Sequence, residues 1–160
     1  MATVRVQRDD FDPGAETDAL ARGRTDVGAV ASFVGYCRDE GGRLGALELE
    51  HYPDMAEEEI ARATRDAQAR WPLMGVTVIH RHGRIEPGER IVFVAVAAAH
   101  RGAAFAAAEM LMDYLKTRAP FWKRAIDAHG DAHDWIEAKA DDDLSAARWA
   151  GADRAQPSGS

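Results

Sequence analysis

The stretch "MDYLKTRAPFWKR", residues 112 to 124, gathers Lys116, Arg118, Lys123 and Arg124 around Pro120 and the aromatics Phe121 and Trp122. A lysine held beside aromatic rings can lose water, which disfavours its charged form and fits it for proton transfer or nucleophilic attack near neutral pH. Lys116 and Arg118 also have a plainer explanation, since they fall in what reads as the last turn of a helix, where the macrodipole favours positive charge. Lys123 and Arg124 could equally stay wet while Phe121 and Trp122 anchor their loop to the core.

A second pair of cations lies at the other end of the same helix. His100 and Arg101 precede its first turn, where a cation is unfavourable by roughly 0.3–1 kcal/mol. A bound anion would offset this, because helix N-termini hold phosphate through free amides and an arginine adds a forked pair of donors. The alternative is an Arg101 pointing into water and a His100 satisfied at a strand end. Arg38 stands in a loop rich in glycine and charge after an apolar strand, a frequent place for a binding residue. Its neighbour Cys37 is either a thiolate favoured by Arg38 or a small buried hydrophobe, and it is assigned no catalytic role.

Two histidine clusters invite a metal reading. In "DAHGDAHDW" His129 and His133 are four apart among Asp127, Asp131 and Asp134, but Gly130 discourages the helix that would align the imidazoles, and no HExxH pattern occurs. A solvated loop accounts for them. In "HRH", His80 and His82 alternate onto one face of a strand, which reads as a polar sheet face. No P-loop, GxGxxG or G-x-S-x-G is present, so nucleotide hydrolysis and serine hydrolase chemistry have no support.

The whole chain sets the context for these residues. Its 160 residues suit one domain with a sizeable core, and 46% apolar with 29% charged residues is the composition of a globular protein. Twenty Lys and Arg against 27 Asp and Glu leave a net charge of −7, which argues against general attraction to nucleic acid or anionic lipid. Any basic patch is therefore local. The single cysteine excludes an internal disulfide, and neither a spanning segment nor a secretion signal is read, which together give a cytoplasmic expectation.

The elements that must position these residues read as follows. "TVRVQ" is a short strand, "DPGAETDALARGR" a short helix with Ala19 and Leu20 inward, and residues 27–34 a buried strand. "ALELEHY" alternates as a sheet with one wet face. Asp54 with Glu57 suits a capping box opening a helix whose Ile60, Thr64, Ala67 and Trp71 share a face, ended by Pro72. "VTVIHRHGRI" and "RIVFVAVAAA" flank "EPGE", where Pro87 and Gly88 suit a type II turn, so an antiparallel pair is expected. Residues 102–118 form an alanine-rich helix with Phe105, Ala108, Met112 and Leu115 inward, and the basic stretch becomes a helix end plus a loop. "DWIEAK" reads as a strand and "DDDLSAARW" as a final short helix. The order indicates an α+β fold with a largely antiparallel sheet, a single domain over residues 1–149, and a disordered tail over 150–160.

Taken in order, "FVGYCR", "LELEHYPDM", "RWP", "VIHRHG", "PGE", "AAHR", "MDYLKTRAPFWKR" and "WIEAK" resemble the large, catalytic subunit family of molybdopterin synthase across roughly residues 4–149. The resemblance implies an α/β hammerhead with an additional antiparallel sheet. It implies a sulfurtransferase of molybdenum cofactor biosynthesis that converts cyclic pyranopterin monophosphate to molybdopterin by installing two dithiolene sulfurs. The sulfur would come from the C-terminal Gly-Gly thiocarboxylate of a small ubiquitin-like subunit, within a heterotetramer built on a homodimer of large subunits. No cofactor and no metal are implied.

Carried over by position, the resemblance makes Lys116 and Lys123 catalytic. Substrate contacts fall on Tyr36, Cys37, Arg38, His100, Arg101, Lys116, Lys123, Arg124 and Ala125, with Phe33 lining the pocket. His100 and Arg101 would reach the neighbouring subunit's pocket. Tyr36 stands where the family often has lysine, and Cys37 where it often has valine. Two rivals compete: a non-catalytic module that only binds the ubiquitin-like tail, and a metal-dependent hydrolase using His129 and His133.

Overall fold

The computed structural model describes residues 1–39, 41–52 and 54–136, together with Trp149. Eleven elements follow one another among them: β1 (Ala2–Gln7), α1 (Pro13–Ala21), β2 (Ala29–Tyr36), β3 (Leu44–His51), α2 (Met55–Arg70), β4 (Leu73–Arg81), β5 (Gly83–Ile85), β6 (Arg90–Ala98), α3 (Arg101–Thr117), β7 (Phe121–Asp127) and β8 (Ala132–Ile136). They build two four-stranded sheets, ordered β1-β4-β6-β2 and β5-β3-β7-β8. The second is antiparallel throughout, whereas β1 joins the first sheet parallel to β4. The α+β class with an additional antiparallel sheet is the one the sequence led us to expect.

Alternation of side chains along the strands of the first sheet sorts its two faces. Val76, Val78, Val92, Val94 and Val96 pack with Ile60 and Ala67 of α2 and Ala104, Ala107, Leu111 and Leu115 of α3. On the opposite face Ile79, Phe93 and Ala95 meet Phe11 and Leu20, under α1. Strand β6 is buried on both faces from Val92 to Ala98, which is why its sequence is almost uninterrupted apolar residues. Alanines on α3 let that helix lie close to the sheet.

Local chemistry explains most boundaries. Asp12 caps α1, its Oδ1 accepting from Ala15 N at 3.1 Å, with Pro13 in the first turn. The expected turn at "EPGE" forms: Glu89 N donates to Glu86 O at 3.0 Å and Gly88 takes φ +89°, the left-handed value that a type II turn demands at its third position. Strands β4 and β6 pair antiparallel as expected. The chain between them differs, since β5 leaves the first sheet to pair with β3 in the second.

Four readings are corrected. Asp54 does not cap α2: it sits at φ 67° and its side chain makes no capping bond, because capping geometry requires an extended backbone there. Phe105 is 65% exposed rather than inward; the buried stripe of α3 runs through Ala104, Ala107, Ala108, Leu111 and Leu115. Ala19 of α1 is exposed, leaving Leu20 to meet the core. Residues 121–127 are a strand rather than a loop, since Pro120 ends the helix but tolerates extended structure after it. The helix read in "DDDLSAARW" and the tail lie outside the described residues except for Trp149. That indole meets Trp71 edge-on at 5.8 Å and donates to Asp113 Oδ2 at 2.6 Å.

Arg81 ties three strand ends together. Only 6% exposed, its guanidinium donates to Arg8 O at 2.9 Å and Arg90 O at 2.8 Å, with Glu89 Oε2 at 3.5 Å. Arg81→Met keeps the stem and orphans two carbonyls, which should lower unfolding free energy by about 2–3 kcal/mol. Urea denaturation reads this directly, and a midpoint matching the parent chain would remove Arg81 from this role.

Candidate active site

The two sheets meet at a cavity of about 370 Å³, within the range of small-molecule sites. Period-two alternation delivers its walls. In the second sheet Leu47, Leu49 and His51 stand opposite Ala125, Lys123 and Phe121, so these six share one face, and Leu47, Leu49, Phe121 and Lys123 line the cavity. From the first sheet, Phe33 and Gly35 of β2 and His80 of β4 reach it on the face that carries the helix-side valines. Helix α3 adds Met112 and Lys116 from its last turns, and Tyr36 closes the outer side.

Lys116 and Lys123 thus converge from different layers of the fold, one from a helix end and one from a strand. The connection between them is bonded to itself: Arg118 N and Ala119 N both donate to Tyr114 O, at 2.8 and 3.3 Å, and Phe121 N donates to Ala119 O at 2.8 Å. Two amines over a wall of Leu47, Leu49, Phe33 and Phe121 form a cationic pocket with apolar sides, suited to gripping an anion while moving a proton or attacking a carbonyl.

His80 was missed as a site residue. Its ring is 8% exposed and lies flat against Phe121, with centroids 3.8 Å apart and planes 16° apart. Nδ1 is 2.8 Å from Arg81 O. Burial, with further contributions from the Lys116 charge and from His51 and His82, pushes its pKa from 6.5 down to about 4. The polar sheet face read in "HRH" is corrected accordingly, because β4 ends at Arg81. His82 turns to His51, ring centroids 4.3 Å apart, and burial lowers its pKa as well. The available signal was the alternation Val76, Val78, His80, which sets an imidazole at the end of a buried apolar row.

The remaining expected residues are placed elsewhere. Arg124 falls on the opposite face from Lys123, where it pairs with Glu48 at 3.1 Å and lies over the Trp135 ring at 4.7 Å. Cys37 is 2% exposed and packs with Leu49 and Ile85; burial raises its thiol pKa, which agrees with a small hydrophobe. Arg38 is exposed just past the cavity's Tyr36, and Ala125 shares the Lys123 face without lining the cavity. Arg118 is the C-cap residue just past Thr117, the last residue of α3.

His100 and Arg101 line a separate, open depression with Gly28 and Ala29. The backbones are tight there: Gly28 N donates to Ala98 O at 3.0 Å, and a Cβ on Gly28 would stand 2.0 Å from Ala99 O, so glycine alone fits. In the His/Asp loop, His133 Nε2 is 3.1 Å from Asp127 Oδ2 and exposed. Asp127 is held below the usual carboxylate range first by the Asp131 amide. Among the described residues no three His, Cys, Asp or Glu side chains converge as a ligand set.

The fold and cavity define an α+β protein that presents two lysine amines between a mixed and an antiparallel sheet. Comparison with known proteins gives that class a family. The family model described as MoaE protein matches residues 6–118, and the chain belongs to this family. It is 63% identical over 147 residues to the molybdopterin synthase catalytic subunit of Mesorhizobium japonicum, covering 92% of each chain, and 59% identical to that of Rhizobium meliloti, covering 92% and 95%. Among solved structures, a molybdopterin biosynthesis MoaE protein from Burkholderia ambifaria superposes with TM-score 0.80 at 47% identity, over 94% of this chain and 99% of that one. Molybdopterin synthase from Staphylococcus aureus gives 0.73 at 26% identity, over 82% and 95%.

Proposed function

We propose that this chain is the catalytic subunit of a cytoplasmic molybdopterin synthase. It moves sulfur from the C-terminal thiocarboxylate of a small ubiquitin-like partner onto cyclic pyranopterin monophosphate, making the dithiolene of molybdopterin. The observation that carries the reading is the convergence of Lys116 and Lys123 on one apolar-walled cavity. It is supported by 49–63% identity to curated catalytic subunits of that enzyme. A more distant fold relative from Helicobacter pylori is a complex of subunits 1 and 2 of molybdopterin-converting factor, which supports a small-subunit partner here.

Each transfer forms a carbon–sulfur bond at a substrate carbon as a carbon–oxygen bond there breaks. Water then cleaves the acyl carbon–sulfur bond, which leaves the sulfur on the pterin and returns the partner's tail as a carboxylate. Substrate phosphate and tail both bring negative charge to a protein of net charge −7, so a local cationic field is needed to hold them. Lys123 steadies anionic intermediates from its strand, while Lys116 serves as acid, base or amine nucleophile from the helix end. Phe33 and Tyr36 frame the outer part of the cavity. The thiocarboxylate supplies the nucleophilic sulfur, and the reading gives the chain's residues no metal to hold. Incubating the purified chain with a thiocarboxylated partner and the pterin, and assaying dithiolene product, tests this reading; tail binding without turnover would favour the binding-module rival.

The depression bearing His100 and Arg101 fits a homodimer in which each copy completes the other's cavity. Arg101→Ala should raise the KM for the phosphorylated pterin about 10- to 100-fold, as expected for a lost charged hydrogen bond. At pterin well below KM, where each chain alone is nearly silent, mixing Arg101→Ala and Lys116→Ala chains should recover about a quarter of parental activity, because half the random dimers hold one intact composite site of two. No recovery after subunit exchange would place Arg101 outside its neighbour's site.

A further inference from the structure

His80 carries none of the roles above, yet among the described residues it is the one imidazole lining the cavity. Its Nδ1 faces a carbonyl oxygen, Arg81 O at 2.8 Å, and a carbonyl only accepts. Nδ1 therefore holds the proton and Nε2 keeps its lone pair. Phe121 stacked at 3.8 Å and the neighbouring strands β1 and β6, on which Val6 and Val92 stand opposite His80, fix the ring in place. Among the described residues no group bonds Nε2.

Most of the cavity's polar lining offers donors. Lys116 and Lys123 present ammonium groups, and the Thr117 hydroxyl already donates to Asp113 O at 2.8 Å. Tyr36 is 55% exposed and belongs to the outer part, whereas His80 at 8% lies deep. A deep, fixed acceptor among cations serves a ligand that bears N–H groups. Phosphate and thiocarboxylate have none to give, while a pterin ring has several.

We propose that His80 is a substrate-binding residue whose Nε2 accepts a hydrogen bond from an N–H of the pterin heterocycle bound beside Lys116. This rests on the sulfur-transfer reading, which names the ligand. The groups facing His80 from the packed elements are Lys116 of α3, His51 of β3, and His82 just past its own strand. All of them disfavour a second proton on the ring, so the acceptor persists through the neutral range.

Two variants separate the hydrogen bond from the packing. His80→Phe retains a flat ring against Phe121 but no acceptor, and His80→Gln offers an amide oxygen. With saturating thiocarboxylated partner, His80→Phe should raise the KM for pterin about tenfold. Calorimetric affinity for the unthiolated partner should stay within about twofold, and His80→Gln should recover part of the lost pterin affinity. In ¹⁵N NMR of the parent chain, Nε2 should remain unprotonated from about pH 5 to 8 and move when pterin alone is added. An unchanged pterin KM in the Phe variant overturns the proposal, as does weakened partner binding with unchanged KM, or a protonated Nε2. Absence of turnover by the parent pair would instead defeat the sulfur-transfer reading, and the NMR titration, which needs no turnover, still decides the role of His80.

Discussion

Lys116→Ala and Lys123→Ala are each expected to slow dithiolene formation by about 10²–10⁴-fold, the range for a lost general acid, base or charge stabiliser. Both chains should remain folded. Lys116 is exposed in the last turn of α3, where its favourable alignment with the helix dipole is worth only about 0.3–1 kcal/mol. Lys123 is half-buried on a strand whose Ile126 carries the tighter packing. Arginine at each position divides the possible roles, because it preserves the field but neither attacks nor exchanges a proton near neutrality. Single-turnover assays with a thiocarboxylated partner measure the effect, and near-parental rates in both alanine chains would strip the pair of its catalytic assignment.

The second large effect is on stability in acid. The unfolded His80 imidazole titrates near 6.5, but the folded one, buried against Phe121 under the Lys116 charge, takes a proton only near pH 4. Above pH 6.5 neither state is protonated there, so nothing is lost. As pH falls from 6.5 to 4 the unfolded chain gains a proton that the folded chain refuses, and stability should drop by about 3 kcal/mol. His82, also lowered by burial and by His51, adds in the same direction. Urea titrations at pH 7, 5.5 and 4 should show His80→Phe losing less stability than the parent over this interval. Parallel losses in the two chains would assign the acid sensitivity elsewhere.

Much of the scaffold was legible because its signals are local. Asp12 with Pro13 marked a helix start, "EPGE" a turn, and the alternation Leu47, Glu48, Leu49, Glu50 a sheet with one wet face. Phe105 and Asp54 misled for the opposite reason: helical spacing does not say how wide a helix's buried stripe is, and a capping pair does not fix the backbone angle on which capping depends. Reading residues 121–127 as a loop hid the most useful consequence of all. A strand separates neighbours, so Lys123 faces the cavity while Arg124 turns outward to Glu48. The local cluster of four cations therefore divides, and only Lys116 and Lys123 line the cavity. His80 escaped notice because its environment is assembled from β3, α3 and β7, none of them near it in sequence.

The clamped passage from Tyr114 to Phe121 gives the cavity a property beyond its shape. The self-bonded run joins the last turn of α3, which holds Lys116, to the start of β7, which holds Lys123, so the backbone roots of the two side chains stay tethered however the two layers shift around a visiting ligand. The spacing of those roots behaves like the jaw width of a calliper, set by chain length rather than by breathing of the surrounding walls. Lengthening or shortening that run would therefore change the gauge of the site even where every side chain was kept.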